Sequence, residues 1–181
     1  MVELDFGGIK ETVITRNEFP VDKAKKILKN ETVATLGYGI QGRAQSLNMR
    51  DNGINVIVGQ SKKFPVNYQQ ALDDGWIPGE TLFSLEEAAE RGTIKQYLLT
   101  DAAQKALWPV IKSTFKDGDA LYFSHGFSIV YRKLTGVIDQ VIDNLPNAFA
   151  INHYLWQSCP HFSQYLIFGL SQLTIGNCLL D

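Results

Sequence analysis

The sequence predicts an α/β fold built on a doubly wound parallel sheet. Two observations carry that expectation. From about residue 31 to residue 124, short apolar runs alternate with stretches of helical composition, the pattern of successive βαβ units. A glycine-rich turn, Gly37-Tyr38-Gly39-Ile40-Gln41-Gly42, joins the first of those runs to the first of those helices.

Taken in order, residues 32–36 (T-V-A-T-L) form an apolar run ending at glycine and read as the first strand. Residues 41–51 have helical composition, and Asn52-Gly53 supplies a stop. Residues 54–58 (I-N-V-I-V) make the second strand, closing at Gly59. A less regular segment follows, punctuated by Pro65, Gly75, Pro78 and Gly79. Ser84-Leu85-Glu86-Glu87 matches a capping box, so a helix is expected from there to about Arg91, with Gly92 as its stop. Residues 93–99 read as a third strand, unusually polar at Lys95 and Gln96. Residues 101–115 form the next helix, which Pro109 is expected to bend or divide. Ala120–Phe123 is a fourth strand. Residues 137–142 are apolar enough for a fifth, but Asp139, Asp143 and Asn144 break the run. Residues 147–181 are rich in Asn, Gln, Ser, His and aromatics and carry almost no charge. The expected organisation is a Rossmann-type nucleotide-binding domain over residues 1–137 and a divergent tail of undefined structure over 138–181.

The bulk properties exclude several classes. At 181 residues the chain has room for one ordinary domain with or without a tail. An apolar fraction of 45% and a charged fraction of 20% are those of a globular protein. A formal charge of -2 offers no footprint for nucleic acid. Two cysteines, Cys159 and Cys178, make neither a disulfide framework nor a thiolate metal site, and suit a reducing, cytoplasmic compartment. The first residues, Met1-Val2-Glu3-Leu4-Asp5-Phe6-Gly7, lack a signal-peptide pattern. The apolar stretch 165–180 is interrupted by Gly169, Ser171, Gln172, Thr174, Gly176 and Asn177, too often for a membrane span. The expected partner is a small molecule, with no membrane and no nucleic acid.

The G-x-G-x-x-G turn demands its glycines for separate reasons. Gly37 makes the tight turn, Gly39 lets the backbone approach a pyrophosphate, and Gly42 lets helix and strand pack closely. The helix that follows offers unpaired N–H groups to the phosphates. At the end of the second strand, an NAD-preferring site would carry a carboxylate for the ribose 2′-hydroxyl. Gly59-Gln60-Ser61-Lys62-Lys63 stands there instead, a hydroxyl and two ammonium groups suited to the 2′-phosphate of NADPH.

Three ordered stretches together resemble one family. The turn with its continuation, Leu36 through Asn48, is similar to the cofactor turn of ketol-acid reductoisomerases. Leu99-Thr100-Asp101-Ala102-Ala103-Gln104 resembles a later loop of that family, and Ser124-His125-Gly126-Phe127 its histidine-bearing loop. Phe6-Gly7-Gly8, Glu11-Thr12-Val13 and Asp74-Gly75-Trp76-Ile77-Pro78-Gly79 also look like its segments. The resemblance runs from about residue 3 to residue 137. It implies an oxidoreductase of valine, leucine and isoleucine biosynthesis. Such an enzyme takes a 2-hydroxy-3-keto acid, 2-acetolactate or 2-aceto-2-hydroxybutyrate, through Mg²⁺-dependent alkyl migration and then NADPH reduction. It further implies that Tyr38, Gly39, Ile40 and Gln41 contact the cofactor phosphates, within the turn Gly37 to Gly42. Ser61 stands where many members have arginine, so Lys62 and Lys63 would supply the charge for the 2′-phosphate. Asp101, Ala102, Ala103 and Gln104 would lie along the cofactor, and His125 would be the catalytic histidine. A homo-oligomer is compatible with the resemblance.

The resemblance breaks in two places. The family's fifth strand leads to an active-site lysine, and residues 138–150 contain no lysine. In the family a helical C-terminal domain supplies the carboxylates for two Mg²⁺ ions, and after Asp143 this sequence has one acidic residue, Asp181. No metal ligand is assigned, His153 and His161 receive no role, and the chain is expected to be catalytically incomplete by itself. Residues 138–181 read as a shifted frame, a truncated product or a misjoined gene. The uncharged aromatic tail, with Tyr154, Trp156, Phe162, Tyr165 and Phe168, is open to reading as core, as disorder or as a partner interface. Two other functions stay open beside the first: a stand-alone NADP-binding module and a different NADP-dependent reductase. Lys95-Gln96-Tyr97, where the family is apolar, reads as drift away from function.

Overall fold

The computed structural model describes residues 2–13, 15 and 17–137, and residues 149–152 as backbone. In chain order the elements are β1 (Val2–Asp5), β2 (Lys10–Val13), α1 (Val21–Leu28), β3 (Val33–Leu36), α2 (Ile40–Asp51), β4 (Val56–Gly59) and α3 (Pro65–Asp73). There follow β5 (Leu82–Phe83), α4 (Leu85–Arg91), β6 (Ile94–Tyr97), α5 (Asp101–Ser113), β7 (Ala120–Phe123), α6 (Phe127–Val130), α7 (Arg132–Thr135) and β8 (Phe149–Asn152). β1 and β2 form an antiparallel hairpin, and the other six strands form one sheet in the order β5-β4-β3-β6-β7-β8. Every pairing in that sheet is parallel. The chain thus builds outward from β3 in one direction through β4 and β5, then returns to β3 and builds outward the other way, which is the doubly wound arrangement expected.

The two faces of the sheet are read directly from strand alternation. Val33 of β3 belongs to a core cluster with Val56, Val58, Ala71 and Trp76. Ala34 and Leu36 belong to the opposite cluster with Ile57, Ala88, Trp108, Ile111 and Phe123. All four residues of β3 and of β4 are buried, so these strands read as continuous apolar runs because both faces are covered by helices.

The capping box behaves as its sequence implies. Ser84 Oγ accepts the Glu87 amide at 3.2 Å, α4 starts at Leu85, and Gly92 follows its end. Pro109 does not divide α5, which runs unbroken from Asp101 to Ser113. Buried Trp108 and Ile111 anchor that helix to the sheet on either side of the proline, and packing offsets the missing backbone hydrogen bond. The segment read as irregular holds α3 and β5. Pro65 opens α3 at its first turn, where proline's missing N–H is an orphan in any case.

The polar start of β6 has a physical account other than drift. Lys95 is fully buried and forms an ion pair with Asp119, donates to the Gly92 carbonyl at 2.9 Å and lies 4.6 Å from the Phe115 ring centroid. Gln96 accepts the Thr35 hydroxyl at 2.9 Å, and the Tyr97 hydroxyl donates to the Gln104 carbonyl at 2.8 Å. Each of these three polar side chains of β6 has a partner, as a stable interior requires. The fifth strand expected at residues 137–142 lies, beyond Val137, outside the described residues. Residues 149–152 pair with β7 in parallel register, from Ala120 opposite Phe149 to Phe123 opposite Asn152.

Candidate functional site

The carboxyl ends of β3 and β6 meet where the winding direction reverses, and open α/β sheets bind ligands in the crevice at that switch point. The turn after β3 builds one wall. Gly37 has φ 101°, a left-handed backbone that a side chain would strain. Its N–H donates to the Gly59 carbonyl at 2.9 Å, which ties the turn to the end of β4. A Cβ on Gly42 would sit 1.9 Å from the Gly37 carbonyl oxygen, so α2 packs on the turn more closely than any other residue permits.

Gly39 caps α2 with extended backbone and no side-chain bond, and a Cβ added there would meet nothing within 4 Å. The first helical bond runs from the Arg43 amide to the Gly39 carbonyl at 2.9 Å. The amides of Ile40, Gln41 and Gly42 precede it and have no carbonyl within the helix to bond. Ile40 is 89% exposed. Open space beside Gly39 and three uncommitted amides at the positive end of a helix fit an anionic phosphate.

Tyr38 is oriented differently from its neighbours in the turn. Its side chain is buried in the second core cluster, its N–H donates to Gln60 Oε1 at 2.8 Å and its carbonyl accepts from Asn67 Nδ2 at 2.9 Å. Burial pushes the phenol up to about 12.

The loop after β4 forms a second wall. Ser61 Oγ accepts the Lys63 amide at 3.2 Å, which curls Gln60 through Lys63 into a turn. Lys62 Nζ lies 5.6 Å from the centroid of the Tyr68 ring. A cleft of about 540 Å³ opens beside this loop, lined by Ser61, Lys62, Leu82, Leu85, Leu107 and Ile111 among others. Its lining joins these apolar side chains to the hydroxyls of Ser61 and Ser84, the Lys62 ammonium and the carboxylates of Glu86 and Glu87, a mix that suits a nucleoside with its phosphate at the Ser61–Lys62 side.

The third wall comes from β6, β7 and the helices after them. Thr100 Oγ1 accepts the Ala103 amide at 3.4 Å and caps α5, whose first residue is Asp101. Ala102 is exposed and Ala103 half-buried. Gln104 is 2% exposed: its amide group donates to the Tyr97 and Leu99 carbonyls at 3.2 and 2.9 Å, and it accepts the Ser128 hydroxyl. Its side chain therefore braces β6 against α5 and α6 and does not face the cleft.

His125 follows β7, as its place in the sequence implies, and its Nε2 lies 3.5 Å from Asp101 Oδ1. Its Nδ1 accepts the Phe127 amide at 3.4 Å, which leaves Nε2 as the ring nitrogen facing Asp101. Asp101 Oδ1 is otherwise buried without a hydrogen-bond partner. The fold thus brings together two residues that the sequence reading placed in separate motifs.

Gln45 was not singled out in the sequence, yet it donates to Gln41 Oε1 at 3.1 Å and to Ser124 Oγ at 2.9 Å, bridging α2 to the histidine loop. Its spacing of one helical turn from Gln41 was the available signal. Among the described residues no group of three or more His, Cys, Asp or Glu converges as a metal site requires. Nor, among them, is any helix long and apolar enough to cross a membrane.

Over residues 27–142 the chain matches the family model described as acetohydroxy acid isomeroreductase, NADPH-binding domain. It is 52% identical over 138 residues to a ketol-acid reductoisomerase (NAD(+)) of Desulfosudis oleivorans, across 76% of this chain and 39% of that protein. It is 51% identical over 134 residues to a mitochondrial ketol-acid reductoisomerase of Neurospora crassa, across 74% of this chain and 33% of that protein. Among solved structures it is similar to an NADH-preferring ketol-acid reductoisomerase from an uncultured archean, with TM-score 0.55 and 36% identity over 60% of this chain and 33% of that one. The chain spans well under half the length of these relatives.

Proposed function

This chain belongs to the ketol-acid reductoisomerase family, where it corresponds to the NADPH-binding domain, and from that premise we propose that it binds NADPH across the β3–β6 switch point. The observation that carries the reading is the first turn of α2: uncapped, with open space at Gly39. The amides of Ile40, Gln41 and Gly42 hold the pyrophosphate, Ser61 and Lys62 the 2′-phosphate, and Lys63 adds charge at the rim. The choice of NADPH over NADH rests on that β4 loop, since similar proteins include a ketol-acid reductoisomerase (NAD(+)) of Desulfosudis oleivorans and a ketol-acid reductoisomerase (NADP(+)) of Methanococcus maripaludis. In this reading residues 1–137 form the binding domain, and residues 149–152 of the divergent segment 138–181 add a strand to its sheet.

NADPH when bound supplies a hydride. The chain's own contribution is to orient it and to present a proton. Ala102 and Ala103 leave room along the cofactor, and His125, whose Nε2 lies 3.5 Å from Asp101 Oδ1, turns from that carboxylate to supply a proton to a developing substrate oxygen. The substrate class is the family's 2-hydroxy-3-keto acid, in branched-chain amino-acid biosynthesis. The Mg²⁺ that this chemistry uses finds no ligand set among the described residues, so no step here runs through it. In our reading the 181-residue chain binds cofactor without turning over 2-acetolactate, and it works in a reducing compartment such as the cytoplasm.

Calorimetric titration with NADPH and NADH tests the proposal. Micromolar binding of NADPH at about tenfold or greater preference, equivalent to about 1.4 kcal/mol, is the expected result. Equal affinity would remove the role of Ser61 and Lys62, and no binding to either would remove the cofactor reading.

A further inference from the structure

The Asp74-Gly75-Trp76 segment does not line the cleft just described, yet it is bonded to both flanks of the phosphate turn. Asp74 receives Arg43 in a forked pair, Nε to Oδ2 at 2.6 Å and Nη2 to Oδ1 at 2.9 Å. The Tyr38 hydroxyl donates to Asp74 Oδ2 at 2.8 Å, and the Trp76 indole N–H donates to that same hydroxyl at 2.7 Å. Gln70 Nε2 adds a contact to Oδ1 at 3.3 Å. The Asp74 carbonyl accepts Arg50 Nη1 at 2.8 Å, and that guanidinium lies 4.7 Å from the Trp76 ring centroid.

Tyr38 immediately precedes Gly39, and Arg43 immediately follows Gly42. Every polar group of Tyr38 is committed, to Gln60, Asn67, Asp74 and Trp76, and the residue is 1% exposed. Gly39 itself has no neighbour within 4 Å at its Cβ position and no cap bond. The direction of the amides between residues 39 and 42 is therefore set by the packing of Gly42 on Gly37 and by what holds the stretch at its two ends. One carboxylate bonds both ends.

We infer that Asp74 is a positioning residue for the phosphate turn, holding Tyr38 and Arg43 so that the intervening amides converge on a dinucleotide pyrophosphate. This rests on the cofactor reading above. Tyr38 then serves the site by its burial rather than by touching phosphate, and Asp74 acts without contacting the ligand. Preorganised donors lose affinity steeply when their geometry relaxes.

The test compares two ligands by calorimetry on the whole chain and on the variants D74N and Y38F. NADPH engages the turn through its pyrophosphate. 2′-AMP carries the adenosine and the 2′-phosphate but no pyrophosphate. D74N is expected to weaken NADPH about tenfold or more while leaving 2′-AMP within about twofold. Y38F, which keeps the ring and removes the hydroxyl, is expected to weaken NADPH about threefold to fivefold with the same sparing of 2′-AMP. A D74N protein that binds NADPH like the parent overturns the proposal. So does an equal loss of both ligands, which would mark a general loosening. If D74N fails to fold, Y38F decides by the same criteria. Failure of the parent chain to bind either ligand would instead sink the cofactor reading itself.

Discussion

Asp74 does not behave as a surface carboxylate. The Arg43 guanidinium and the hydroxyl of Tyr38 hold it down to about 2, from an ordinary 3.8. A carboxyl depressed in the folded state adds stability that is fully present above its unfolded value and is lost as pH falls through the folded one. The contribution from Asp74 is therefore intact above about pH 4 and disappears between there and about pH 2. Urea midpoints of the parent and of D74N measured along a pH series should differ most near neutrality and converge in that acid window. A constant difference down to pH 2 would remove the ion pair as the cause. At this scale the positions of the glycines, Ser61, Lys62 and His125 just past the ends of their strands were legible, because each belongs to a local pattern. The roles of Asp74 and Gln45 and the inward turn of Gln104 were not legible. Those depend on partners brought close only by the fold: Asp74 meets Tyr38 from 36 residues away and Gln45 meets Ser124 from 79.

Elements were legible to the degree that their signal is internal. β3, α2, β4, α4 and β7 each announce themselves by an apolar run, a cap or a stop within a few residues. α3 was hidden by Pro65, which reads as punctuation when taken alone and as a favoured first-turn residue once a helix follows. β5 has two residues, too few for any periodicity. In α5 the rule that proline breaks helices met a stronger one, since Trp108 and Ile111 bury against the sheet on both sides of Pro109. Packing has overcome the cost there without abolishing it. Pro109→Ala restores a backbone donor and should stabilise the chain by about 1–3 kcal/mol, read from chemical denaturation. Destabilisation would mean that the ring itself makes contacts worth more than the missing bond.

For the whole molecule, the arrangement of one sheet between two cores puts the crevice at the joint of its two halves. A ligand lying across that joint binds the turn after β3, the loop after β4 and the helix after β6 together, and none of these converge in an unfolded chain. NADPH at about one hundred times its dissociation constant should therefore raise unfolding stability by about 2.7 kcal/mol, measured as a shift in the denaturation midpoint. A shift well below that value would indicate binding to a surface that does not require the assembled sheet. The doubly wound plan was legible as a whole because its alternation spans many residues. The contribution of residues 149–152 to the edge of the sheet was not, since the run is short and its neighbours in sequence carry no clear period.

The place of β3 in that sheet also has a consequence in time. Val33 pairs with Val56 on one side and with Ile94 on the other. During synthesis the first partner follows soon after β3, while the second waits for α3, β5 and α4 to be made. Until then this fully buried strand has one open edge, and an open edge is a template for another nascent chain. The polar residues of β6 bear on that interval. Gln96 bonds Thr35 across the gap once it closes, giving the late strand a hydrogen bond that a stray apolar segment would not offer.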